Sequence, residues 1–170
     1  MSPRRRLVLL AVLVVSVLLV IPAAGPDTST SLTPEATVSV VDDSDETLGT
    51  VAVEIADTPS ERYTGLSDTE SLGPNEGMLF VFEEQAERAF VMRDMAFPID
   101  IVFVDANQTI TAIHHAPVED DDDLTHYSGQ AKWVLEVPAN WTTEHDVEVG
   151  DRIRIDHRNG TVAPSESAAS

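Results

Sequence analysis

From Ile99 to Val104 the chain reads IDIVFV, with five of six residues β-branched or aromatic and both alternating faces apolar except at Asp100. A strand covered on both sides has this pattern, because neither face can be left to water. It predicts that other strands are built around this one. Upstream, Pro98 fixes its own φ and pushes Phe97 toward extended backbone, so the chain turns at Ala96 to Pro98 before running straight. Thr37 to Val41 and Thr47 to Ile55 read as a hairpin across the acidic turn Asp42 to Glu46, with Val51, Val53 and Ile55 on one face. Thr58-Pro59-Ser60-Glu61 is a helix start: an N-cap, a proline at the first helical position and a capping box closed by Glu61. Gly65 and Gly73-Pro74 end that helix and its loop. Strands are then predicted at Gly77 to Phe82, Arg88 to Met92, Gln108 to Ala116, Ala131 to Val137 and Arg152 to Asp156. Between them lie turns at Glu83 to Glu87 and Asp105 to Asn107, the acidic loop Pro117 to Ser128, and a helical turn from Pro138 to His145. The fold class is mainly β, a single jelly-roll-like sandwich or barrel with one or two short helices and an N-terminal hydrophobic helix.

Arg4, Arg5 and Arg6 precede the apolar run Leu7 to Ile21, followed by Pro22, Ala23, Ala24 and Gly25. Positive charge ahead of such a run places the N-terminus inside and the rest outside the cytoplasm. Residues 1–25 are thus a signal peptide or a transmembrane anchor, with membrane contact through 7–25. The Ser, Thr and Pro-rich stretch 26–35 is a linker, 36–157 the β domain and 158–170 a disordered tail. The domain is expected outside the cytoplasm, anchored or secreted.

Charge changes the list of partners. Thirty acidic side chains face ten basic ones, of which Lys132 is the only lysine, and the net charge is −20. Such a surface repels nucleic acid. Acidic blocks in turns with lysine nearly eliminated fit a protein working in molar salt, where the Debye length falls to about 3 Å and self-repulsion is screened. Unfolding followed against salt concentration tests this: stability is expected to rise with salt, and equal stability in dilute buffer contradicts the adaptation. No cysteine is present, which excludes disulfides, thiol catalysis and thiolate metal sites.

Four blocks, Tyr63-Thr64-Gly65-Leu66, Gly77-Met78-Leu79-Phe80, the run Phe90 to Asp105, and Val134-Leu135-Glu136-Val137-Pro138 followed by Val149-Gly150-Asp151, resemble in order and spacing the domain of unknown function 192 (DUF192) family. In its acidity the chain resembles members of haloarchaeal type. The resemblance implies a mainly β, jelly-roll-like domain, exported or membrane-attached, with no established activity and no catalytic residues to transfer. Where the family often has tryptophan, lysine, asparagine and threonine, this chain has Val91, Arg93, Asp94 and Met95.

Asp100 and Glu136 are both acids inside apolar strands, where an unpaired charge costs several kcal/mol. With Arg93, Asp94 and Lys132 they form the candidate ligand-binding set. The period of two puts Lys132 on the strand face of Glu136, and Arg93 is expected to clamp Asp100. The leading reading is a binding module for a small ligand, glycan or partner protein. The alternatives are a hydrolase dividing acid and base roles between Asp100 and Glu136, and a purely structural envelope protein. Metal binding by His114, His115, His126 and Asp120 to Asp123 is not expected. Adjacent strand histidines point to opposite faces, and the acidic loop lacks the glycine and alternating ligands of a calcium loop. Ser67, Ser71 and Ser128 stand in no nucleophile elbow, and no phosphate loop or dinucleotide fingerprint occurs, so neither a catalytic residue nor a cofactor is assigned. Tyr63, Tyr127 and Trp141 are the aromatic candidates for exposed recognition, with Trp141 equally expected to pack under its helical turn.

Overall fold

The computed structural model describes residues 32–120 and 123–157. Seven strands and two short helices follow one another as β1 (Ala36–Val41), β2 (Thr47–Ala56), α1 (Pro59–Thr64), β3 (Glu76–Phe90), β4 (Ile99–Val104), β5 (Ile110–Ala116), β6 (Tyr127–Pro138), α2 (Trp141–Glu144) and β7 (Arg152–His157). They form one sheet in the order β5-β4-β6-β3-β2-β1-β7. All neighbours are antiparallel except β2 and β3, whose parallel pairing needs the crossover that carries α1.

The sheet curls into a half-barrel. At one end its two edges meet: Thr109 bridges Arg152, the Ile110 N–H donates to the Asp151 carbonyl at 2.8 Å, and the Ile153 N–H donates to Gln108 at 2.9 Å. Of the sandwich or barrel expected from the strand spacing, the single curled sheet is nearer the barrel, because long strands bend across the whole width instead of stacking as two layers. Inside the curl lie Val38, Val51, Val53, Leu79, Val102, Leu135 and Trp141. On the outer face Leu66, Met78, Phe80, Ile101, Phe103 and Val134 form a second cluster. β4 contributes Val102 and Val104 to the first and Ile99, Ile101 and Phe103 to the second, which is why its sequence is apolar on both sides.

The predicted capping box is present: the Thr58 hydroxyl accepts from the Glu61 N–H, and the Glu61 carboxylate accepts from the Thr58 N–H. The turn expected at Glu83 to Glu87 is instead part of β3, which runs on through an irregularity between Val81 and Ala86. Acidic residues there read as a turn, but a bulge keeps both halves paired with β6. Gly77 lets those two strands approach closely, since a Cβ there would collide with the Glu136 carbonyl oxygen. Among the described residues no helix is long and apolar enough to cross a membrane. The predicted N-terminal hydrophobic helix and the tail 158–170 lie outside the described residues.

Candidate functional site

Asp100 is fully buried and faces the inside of the curl, on the side of Val102 and Val104. Register pairs it directly with His115 across the β4–β5 ladder, and the imidazole Nδ1 lies 2.8 Å from Oδ1. Oδ1 also accepts from the Asn140 N–H at 3.1 Å, while Oδ2 accepts from the Thr142 N–H at 3.0 Å and the Thr142 hydroxyl at 2.6 Å. Four donors therefore answer one carboxylate and fasten the start of α2 to the sheet.

The expected guanidinium is not among them. Arg93 donates to the Tyr63 carbonyl at 2.7 Å, stacks 4.2 Å from the Tyr63 ring centre and approaches Asp94 at 3.8 Å. The reason lies in the turn before Pro98, where Asp94 takes φ 55° and the chain carries Arg93 toward α1. No signal from periodicity could give this direction.

Glu136 faces the other way. Its register partners are Met78 on β3 and Ile101 on β4, and both belong to the outer cluster. Asp100 and Glu136 thus stand on opposite faces of the sheet and share no site. Glu136 is only 6% exposed, and among the described residues neither a hydrogen bond nor an ion pair reaches its carboxyl. Burial alone pushes that carboxyl up to about 8. Lys132, expected beside it, makes no ion pair with it and instead places its ammonium 5.1 Å from the Trp133 ring centre.

Glu136 lines a cleft of about 430 Å³ between α1, the far half of β3 and the segment leading to Met95. Apolar walls come from Leu66, Phe80, Phe82 and Phe90, and polar ones from Arg62, Arg88 and Arg93. Arg62 donates to the Asp57 and Val81 carbonyls, Arg88 to the Glu84 carbonyl at 2.8 Å. The Arg88 guanidinium lies 4.0 Å from the Phe82 ring centre, and its buried Nε has no hydrogen-bond partner among the described residues. Sequence reasoning missed Arg62 and Arg88. The scarcity of cations was the available signal, since each of ten in so acidic a chain merited separate placement.

The remaining candidates separate. Tyr63 is exposed at the cleft. Tyr127 donates its hydroxyl to Glu119 at 2.8 Å, while of the two expectations for Trp141 the packed one holds: it is buried inside the curl and stacks on His145. His114 packs edge-on against Phe103, opposite to His115, as strand alternation requires. Among the described residues no group of three or more acidic or histidine side chains could hold a metal ion.

The model of the domain of unknown function 192, described as an uncharacterized ACR, matches residues 40–155, more than half of the chain. The chain belongs to this family. Its fold is also that of two solved structures. A candidate transcription regulator from Sinorhizobium meliloti is 28% identical with a TM-score of 0.65, the match covering 73% of this chain and 96% of that one. A protein of unknown function from Novosphingobium aromaticivorans is 27% identical with a TM-score of 0.62, over 69% of this chain and 83% of that one. Among proteins of curated function none matches.

Proposed function

We propose that this member of the DUF192 family is a non-enzymatic binding module, held outside the cytoplasm by its N-terminal apolar segment or secreted after the segment is removed, and that it takes a small molecule in the cleft beside α1. One observation carries the reading: Glu136, a residue only 6% exposed whose carboxyl has no partner among the described residues, lines a concave, largely apolar surface. Buried polar groups are nearly always bonded, and a ligand satisfies one that the fold leaves open. The hydrolase alternative required Asp100 and Glu136 to act together, and the sheet lies between them. A DNA-binding role of the kind a transcription regulator has is opposed by the net charge of −20.

Thermal-shift screening of the full-length chain against a small-molecule collection tests the reading. Ala89 lines the cleft with an exposed side chain, so Ala89→Trp fills it without touching the core. Stabilising compounds are expected to lose their effect in that variant. Compounds that stabilise both proteins equally, or a collection without any hit, would count against the cleft.

A further inference from the structure

The cationic residues are distributed unevenly. Only ten stand against thirty acids in the chain, yet three of them, Arg62, Arg88 and Arg93, line one cleft whose acids are Glu87 and Glu136. Among the described residues the other two arginines are neutralised: Arg152 and Arg154 both bond Asp45 at 2.7 Å. At the cleft, Arg62 and Arg88 form no ion pair among the described residues, and Arg93 meets Asp94 only at 3.8 Å. The guanidiniums are held instead by backbone carbonyls and aromatic rings. For Arg62 and Arg88 these neutral partners fix the planar forks in place without cancelling their charge, and an arginine has five N–H donors, more than one carbonyl uses. Among the described residues the Arg88 Nε–H has no acceptor.

We propose that the cleft takes a small organic anion with an apolar body, its carboxylate or phosphate set among Arg62, Arg88 and Arg93 and its hydrocarbon part against Leu66, Phe80 and Phe82. This rests on the cleft being the binding site. Charge-assisted, bidentate bonds to guanidinium favour such an anion over a neutral analogue, and the partly buried setting protects them from screening by salt. Glu136 fits the same ligand. Kept protonated by burial at neutral pH, it adds no repelling charge and offers an O–H to a ligand oxygen.

Four probes that share a phenyl ring and differ in the head group test the assignment: phenylacetate, phenyl phosphate, phenylacetamide and 2-phenylethylammonium, titrated calorimetrically into the full-length chain. One or both anions are expected to bind at least about tenfold more tightly than the amide, with the ammonium weakest. The two anions against each other distinguish a carboxylate site from a phosphate site. Arg88→Gln is expected to remove about tenfold of the anion affinity and leave the amide unchanged; Arg93→Gln serves the same comparison should the first variant fail to fold. Binding of amide or ammonium as tightly as the anions, or an anion preference that survives both substitutions, overturns the assignment and leaves the cleft as a site of another specificity. No binding by any probe at millimolar concentration overturns the assignment and the cleft with it.

Discussion

Glu136→Gln is expected to make the protein more stable, by a margin that grows as pH rises from about 4.5 to about 8. The folded carboxyl holds its proton up to about 8, whereas in the unfolded chain it ionises near the ordinary value of 4.5. Between those limits the folded state binds the proton that the unfolded state has released, so each unit of rising pH favours unfolding of the parent protein. Glutamine has no proton to release, and its curve lacks this contribution. Integrated across the window the difference is on the order of 3 to 4 kcal/mol, with little difference left below pH 4.5. Urea denaturation of both proteins at pH 5 and pH 8, in the same salt, measures it. A gap of the same size at both pH values would show that the carboxyl is well solvated in the folded state, and the cleft would lose its unsatisfied group. That a fold retains a residue costing stability at neutral pH is what a binding site requires, since local consistency is given up where function needs it.

At Asp100 the expected effect has the opposite sign. Asp100→Asn replaces a carboxylate that accepts four hydrogen bonds by an amide with one acceptor oxygen, and it turns N–H groups toward one of the two donor pairs, His115 with the Asn140 N–H or the Thr142 N–H with its O–H. Leaving buried donors without acceptors is expected to cost about 3 to 5 kcal/mol. His115→Gln should cost about 1 kcal/mol or less, because the imidazole side chain is 60% exposed and Asp100 keeps its bonds from Asn140 and Thr142. Denaturation followed by tryptophan fluorescence reports on both, since Trp141 begins the helix that Asp100 fastens. An Asp100→Asn protein within about 1 kcal/mol of the parent would remove this carboxylate from the list of structural anchors. Where the variant still folds, its ligand binding should be unchanged, because Asp100 lies on the far side of the sheet from the cleft.

These two acids show how far the linear chain could be read. Both stood out as charges inside apolar strands, and both are buried. Grouping them in one site failed because each strand has two faces, and the alternation within one strand does not say which face meets which neighbour. Only the register does. The pairs Asp100 with His115 and Ile101 with Glu136 place the two carboxyls on opposite sides. The arginines escaped notice for a related reason. Arg62 on α1 and Arg88 on β3 are distant in sequence, and the crossover that makes β2 and β3 parallel brings them to one ring, Phe82.

Local chemistry by itself determined the strands near their observed positions, the capped start of α1, the double burial of β4 and the separation of His114 from His115. Hydrophobic period, capping geometry and side-chain alternation act over a few residues, so they are written in adjacent letters. Tertiary structure alone decided between sandwich and barrel in favour of one curled sheet, and decided that β3 continues through an acidic bulge, that Asp100 meets a histidine and a helix start, and that Arg62 and Arg88 join Arg93 and Glu136 in one cleft. Those outcomes depend on how distant strands pair and bend, a balance of many weak contacts that no short stretch of sequence contains.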